Sequence, residues 1–275
     1  MSTYLNIRDI LICISKNLST EDNNNLFKLN KSINKCEKIC LRSYNFNKPI
    51  KLSKLIKLDK FQDKYINVIY DLDYYDSSLL HDKIKFLTFG DFFTKPVNNL
   101  PESITHLTFG FRFNQPVDNL PTSITHLTLG DWFDQSVDKL PNSITHLTFA
   151  GRHFNKPINK LPDSITHLKL SEFFTHSVDK LPNSITHLTF GHEFNYYVNN
   201  LPNSIKYLVF GKIFDGNLDK LPDSITYLKL GENFYSYYNL INNYPKSLRH
   251  LDIGINKIKE YNYSLSKLPN YITIT

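Results

Sequence analysis

Cysteine is scarce in this chain of 275 residues, and its three cysteines, Cys13, Cys36 and Cys40, all precede residue 41. An odd number at these spacings fits neither a disulfide framework nor a zinc-binding pair. Because free cysteine behaves as a small buried hydrophobe, we expect core thiols in a reducing compartment. The expected location is therefore the cytoplasm, and no metal site or other cofactor is expected.

Long apolar runs are missing as well. The N-terminal region has only "ILICI" at 10–14, directly preceded by Arg8 and Asp9. A signal peptide needs about 7–15 apolar residues, and a membrane-spanning helix needs about 20. We therefore expect neither a signal peptide nor a membrane span.

Acidic residues are few in the first part of the chain. Residues 1–60 hold twelve Lys and Arg against five Asp and Glu, although the whole chain carries a net charge of only +6. Within "NKPIKLSKLIKLDK" at 47–60 a lysine recurs every third residue. This segment is either a solvated basic face or a contact for an acidic protein or a phosphate backbone. No nucleic-acid-binding motif accompanies it, so nucleic acid is not the expected partner.

What the chain has in abundance is repetition. "SITHLTFG" at 103–110 returns with small changes at 123–130, 143–150, 164–171 and 184–190. Leu-Pro pairs recur every 20 residues, with one extra residue where Ala150-Gly151 replaces a single glycine. These pairs begin at Leu100, Leu120, Leu140, Leu161, Leu181, Leu201 and Leu221. A fixed period near twenty is typical of stacked coils that form a solenoid.

Physical chemistry favours the same architecture. Leu107 and Phe109 are two residues apart and share the inner face of a short strand, which Ile104 joins from the preceding turn. Each buried large side chain contributes about 1.5–3 kcal/mol, whereas ordering each of twenty residues costs about 1–2 kcal/mol. A single coil is therefore unstable, and three or more must stack. In this scheme Gly110 ends the strand and permits an unusual backbone angle.

The return leg of each coil carries a family resemblance. "FTKPV" at 93–97, "FNQPV" at 113–117 and "FNKPI" at 154–158, each followed by "LPxSI", resemble the FNIP repeat. That family is found mainly in social amoebae and in large viruses of amoebae, and its repeat is similar to the leucine-rich repeat. The resemblance implies a leucine-rich-repeat-like solenoid over 82–275, with one short parallel strand in each coil of about 20 residues. "FNKPI" at 46–50 echoes the motif, so 46–81 is either a basic linker or a degenerate coil.

If Leu107 and Phe109 point inward, the residue between them points outward. Stacking then aligns one column of rings, formed by His106, His126, His146, His167, His187, Tyr207 and Tyr227. The column is a structural ladder, part of a partner-binding face, or a metal site. No carboxylate column accompanies it, which disfavours metal, and five copies of one histidine do not make a catalytic triad. We also expect mutual repulsion to lower some histidine pKa values.

Variation between coils is concentrated just after each strand. The residues there include Phe111, Arg112, Trp132 and His153. Exposed aromatic and arginine side chains are the types that anchor protein interfaces, although tolerant surface loops vary in the same way. The prediction is a protein partner held along the column of rings and this rim.

The N-terminal residues have a helical period instead. Ile7, Leu11, Ile14 and Leu18 are spaced 4, 3 and 4 apart, which indicates one apolar helix face. Residues 5–34 resemble an F-box, with Asn6 where a proline is typical, and no tryptophan closes the motif. The residues of 1–45 that the resemblance assigns to adaptor binding are Leu5, Ile10, Leu11, Ile14, Leu18 and Leu26.

F-box proteins with leucine-rich-type repeats are substrate receptors of cullin-RING ubiquitin ligases. The resemblance therefore implies a non-enzymatic adaptor that binds a Skp-type adaptor and cullin complex through 1–45 and a target protein through the repeats. The alternative is a repeat scaffold without a ligase role, in which the N-terminal helices only cap the stack.

Overall fold

The strands form a single parallel sheet that follows the repeat. The computed structural model describes residues 67–70, 80, 84–235, 243–253 and 265–275. Its strands are β1 (Asn67–Tyr70), β2 (Phe86–Phe89), β3 (His106–Thr108), β4 (His126–Leu129), β5 (His146–Phe149), β6 (His167–Lys169), β7 (His187–Thr189), β8 (Tyr207–Val209), β9 (Tyr227–Lys229), β10 (His250–Asp252) and β11 (Thr273–Ile274). The strands pair in chain order, from β1 to β11.

The register of the sheet places equivalent repeat positions side by side. His106 pairs with His126, Leu107 with Leu127 and Thr108 with Thr128. The extra residue at Ala150-Gly151 falls after β5 and leaves the register intact, because His146 still pairs with His167. The expectation of one short parallel strand per coil of about 20 residues is therefore confirmed for the repeat region.

The core consists of columns of identical side chains. Leu107 and Phe109 are each 1% exposed, which confirms the inner face predicted from the sequence. The phenylalanine of each return leg is also buried, and these rings stack from coil to coil, as Phe113 does on Phe133 with centroids 6.3 Å apart. Because each coil buries its flat sides against its neighbours, the hydrophobic stabilisation belongs to the stack.

Polar side chains close the turns between coils. In seven successive coils the serine before the isoleucine donates to an isoleucine carbonyl of the preceding coil, at 2.6–2.8 Å. On the return leg the Asn114 side-chain oxygen accepts from the Asp134 backbone N–H, and Asp134 accepts in turn from Asn155. Buried backbone groups in the turns thus have partners in adjacent coils.

The structure corrects the role expected for the glycine after each strand. Gly110, Gly130, Gly191, Gly211 and Gly231 have no φ in the left-handed region, so no unusual backbone angle is needed. Glycine is required because there is no room for a side chain: a Cβ on Gly130 would lie 1.9 Å from the carbonyl oxygen of Gly110. Successive coils approach each other so closely at this point that backbone packs directly on backbone.

Ala150 and Ser171 replace glycine in that column, and Ser171 lies in the coil after the one with the extra residue. Its side chain is buried, and its hydroxyl donates to the carbonyl of Phe154 at 2.5 Å. The polar side chain at the glycine position, Ser171, therefore belongs to the coil that follows the longer turn at Ala150-Gly151.

The N-terminal helices predicted for 1–45, with Leu5, Ile10, Leu11, Ile14, Leu18 and Leu26, lie outside the described residues, as does most of 46–81. Within the described part of the chain, no helix has the length and apolar character that a membrane crossing requires.

Candidate protein-interaction face

The outer face of the sheet carries a continuous stack of rings. His106, His126, His146, His167 and His187, which we call the histidine ladder, stack with centroids 4.0–4.1 Å apart and planes 12–14° from parallel. Tyr207, Tyr227 and His250 extend the stack at one end, and Phe86 extends it at the other. The column predicted from the sequence is therefore present, and Phe86 is a member that sequence reasoning missed.

A threonine fixes the orientation of every ladder ring. In each of the five coils the hydroxyl of the preceding threonine lies 2.9 Å from Nδ1 of the histidine. The same hydroxyl lies 3.1–3.2 Å from a backbone carbonyl oxygen of the previous coil. Nδ1 is thus engaged, whereas Nε2 of these rings has no hydrogen-bond partner among the described residues and is available to a ligand.

The ladder histidines are harder to protonate than free histidine. Partial burial lowers the pKa of all five rings, and it is the largest cause in each. Other ladder histidines lower the pKa further in His106, His126, His146 and His167. In His187 the second cause is Lys206. The repulsion predicted from the sequence contributes, but desolvation comes first.

The tyrosine end of the stack has a different polar network. The Tyr227 hydroxyl donates to Asp252 at 3.3 Å, and Lys229 donates to the same carboxylate at 2.7 Å. Burial, then Tyr207 and Asp252, raise the pKa of Tyr227 well above its ordinary value. The Tyr227 ring at this end is therefore neutral, and the ion pair between Lys229 and Asp252 lies beside it. The histidine end differs from it in this way.

A cluster of exposed side chains, which we call the aromatic rim, borders the ladder just beyond the strands. It consists of Phe92, Phe111, Arg112, Trp132, His153 and Phe173. The four apolar rings of the rim are 45–57% exposed. Arg112 lies over the Phe92 ring at 4.8 Å and over the Trp132 ring at 5.7 Å, so its guanidinium links rings from the coils before and after its own.

Backbone hydrogen bonds hold the rim in place. The N–H of Arg112 donates to Asp91, that of Trp132 to Phe111, and that of His153 to Asp131, at 2.9–3.1 Å. The His153 ring also lies 3.2 Å from the Asp131 carboxylate. The variable residues after the strands therefore occupy regular, coil-by-coil positions.

The described residues contain no group of three or more His, Cys, Asp or Glu side chains that could hold a metal ion. Stacked rings present parallel edges, whereas a tetrahedral metal needs ligands that converge.

One parallel strand per coil, an inner core of Ile, Leu and Phe, and a flat outer face define a leucine-rich-repeat-like solenoid, the kind of fold that serves as a protein-interaction module. The chain carries FNIP repeats: the FNIP Repeat family model matches residues 96–131, 133–173, 177–213 and 197–233.

A solved structure shares the architecture. The crystal structure of CroV588, described as a novel circular LRR protein structure, aligns with 76% of this chain at 32% identity and a TM-score of 0.57. The alignment covers 36% of CroV588, so this chain spans about a third of the length of that protein. No curated protein is significantly similar to the chain.

Proposed function

We propose that this chain is a non-enzymatic adaptor whose solenoid holds a target protein through the outer sheet face and the aromatic rim. The rim is the observation that carries the proposal: Phe92, Phe111, Trp132 and Phe173 leave large apolar surfaces in water beside an ordered sheet face. Aromatic and arginine side chains supply most of the energy of protein interfaces. Four such rings within five neighbouring coils are costly to keep exposed unless a partner covers them.

The rim is also preorganised for binding. Arg112 is already held between Phe92 and Trp132, and the backbone beneath is bonded from coil to coil. A partner therefore meets side chains that lose little conformational freedom on association, which improves affinity for a given contact area. The chemistry of any reaction on the target would belong to other proteins in the complex.

The finer form of the proposal is a substrate receptor of an SCF-type cullin-RING ubiquitin ligase in the cytoplasm. It is supported by the F-box-like sequence at 5–34, where Leu5, Leu11 and Leu18 occupy positions fitting for the Skp-type adaptor. The alternative is a scaffold in which residues 1–45 serve only as a cap. An isolated helical segment of that size buries little apolar surface and needs a neighbour in either case.

A pull-down separates these two functions. Tagged full-length chain, and a matched chain lacking residues 1–45, are each probed for the Skp-type adaptor and the cullin. The ligase role predicts capture by the full-length chain and its loss on deletion, with the repeat region still folded by circular dichroism. Absence of the adaptor from the full-length sample contradicts the ligase role.

The target-binding role has its own test. Trp132→Ala is expected to abolish capture of target proteins while leaving adaptor capture unchanged, because Trp132 lies on the rim, far along the chain from 1–45. The matched control is Tyr197→Ala, which removes another exposed ring from the return leg of a different coil. Equal loss of target with both variants would contradict a role for the rim.

A further inference from the structure

Charge is distributed unequally between the sheet face and the rest of the solenoid. The face comprises, in β2 to β10, the ring position, the residue before it and the residue two places after it. Among the residues described in 84–235, 243–253 and 265–275, fourteen of the fifteen acidic side chains lie off this face, on turns and return legs. The exception is Asp252, which is neutralised by Lys229 at 2.7 Å.

The fixed charges on the face are otherwise all positive. They belong to Lys85, Lys169, Lys206, Lys229 and Arg249. Lys85, Lys169 and Lys206 are exposed and make no ion pair with the described residues. Arg249 lies over the Tyr271 ring at 4.9 Å, which holds its guanidinium near the end of the stack. The face therefore keeps a net positive charge, and Asp252 is the one carboxylate on it among the described residues.

The histidine ladder adds a charge that depends on pH. Its neighbours on the face are threonines, the cations just named, and the rings of Tyr207 and Tyr227, with His250 beyond them. Asp252 is the described carboxylate on the face, and it sits at the far end from His106. Protonation therefore adds repulsion that no nearby anion among the described residues relieves, and an external anion would relieve it.

We propose that the ladder face is the docking surface for an extended acidic segment of the partner protein, held more tightly as the histidines take up protons. Carboxylates of the segment accept from Nε2–H of the ladder rings and from the flanking lysines. Nucleic acid fits less well, because single-stranded bases need open ring faces to stack on and the ladder rings cover one another at about 4 Å. The inference rests on the target-binding role proposed above.

The test uses the full-length chain and a fluorescent peptide of alternating Glu and Ser, about twelve residues long, which spans the roughly 38 Å of β2 to β10. Binding is followed by anisotropy at low salt at about pH 5.5 and about pH 8, on either side of the histidine range. A Gln-Ser peptide of equal length is the matched probe. Tighter binding of the Glu-Ser peptide, by about tenfold at the lower pH, is expected from two exposed ion pairs.

Two pairs of variants identify the surface. His126→Tyr/His146→Tyr keeps the ring stack, since tyrosine already occupies this position at 207 and 227, and is expected to reduce the pH effect to about threefold or less. The control, His176→Tyr/His192→Tyr, removes two histidines off the face and leaves the effect intact. Lys169→Thr is expected to weaken binding at both pH values, whereas Lys180→Thr, on the return leg, leaves it unchanged.

Three results overturn the inference: equal binding of the Glu-Ser and Gln-Ser peptides, an unchanged pH effect in the ladder variant, or tighter binding of a single-stranded oligodeoxynucleotide than of the acidic peptide. If the chain captures a target in a Trp132-dependent way but does not bind the acidic peptide, this inference fails and the target-binding role is retained. If the peptide binds as expected but no Skp-type adaptor is recruited, only the ligase role fails.

Discussion

A close approach between the backbones of two coils offers a sharp test, the substitution Gly130→Ala. A methyl group is normally a small addition, and the φ of Gly130 is one that alanine can adopt. Here its Cβ would stand 1.9 Å from the Gly110 oxygen and 2.5 Å from the Gly110 carbonyl carbon. Since Cβ contacts below 3.0 Å essentially do not occur, the two coils must separate locally by about 1 Å.

The cost follows from what holds the coils together at that point. The N–H of Phe109 donates to Thr128 at 2.8 Å, and that of Trp132 donates to Phe111 at 2.9 Å. Overpacking costs about 1–3 kcal/mol, and weakening one or two hydrogen bonds adds about 1 kcal/mol each. The free energy of unfolding should fall by about 2–4 kcal/mol, which corresponds to a melting temperature roughly 5–15 °C lower.

The measurement is urea unfolding followed by circular dichroism, with Ala150→Gly as the matched control. Ala150 occupies the same repeat position in the coil with the longer turn and is exposed, so its replacement should cost less than about 1 kcal/mol. An unfolding free energy for Gly130→Ala within about 0.5 kcal/mol of the parent would refute the close-approach explanation.

Three further outcomes are expected. Phe133→Ala should lower the unfolding free energy by about 3–5 kcal/mol in urea titration, because its ring is fully buried between two others; a loss under about 1 kcal/mol would mean that the column is loosely packed. The ladder pKa values are lowered on folding, so the unfolded chain binds more protons, and stability should fall as pH drops below about 6.5. That slope should be shallower in His126→Tyr/His146→Tyr, and identical urea midpoints across pH for both proteins would contradict it. Trp132, the single tryptophan, is 45% exposed, and its fluorescence should shift to shorter wavelength when target binds; an unchanged spectrum at saturating target would place the contact elsewhere.

The positions of the strands and the residues on their inner faces could be predicted because the same sequence pattern recurs in many coils. One copy of "HLTF" is ambiguous, but the 20-residue spacing fixes which residues are neighbours in space, and Leu107 and Phe109 then face inward by alternation. The ladder follows from the same register. Phe86 was missed because its coil is the looser copy "DKIKFLTFG", in which lysine replaces threonine and phenylalanine replaces histidine.

Other features depended on distances that a pattern does not contain. The sequence showed a glycine after most strands but could not distinguish a special backbone angle from a close approach of two coils. The threonine before each histidine was visible, yet its contact with Nδ1 at 2.9 Å depends on the turn that brings hydroxyl and ring together. Desolvation of the rings was likewise invisible, so repulsion alone was named as the cause of lowered pKa values.

In the proposed complex, the uniform ladder and the variable rim would have different roles in recognition. Four of the five ladder coils offer the same threonine, histidine and threonine, and Lys169 replaces the last threonine in the other. The sheet face would therefore distinguish a partner chiefly by charge and by pH. It cannot by itself distinguish one acidic segment from another, because shifting the segment by one coil leaves most contacts unchanged. The rim breaks that degeneracy, since Arg112, Trp132 and His153 occupy one repeat position with three different chemistries. We therefore expect rim substitutions to change which partner is bound, and ladder substitutions to change the pH at which it is bound.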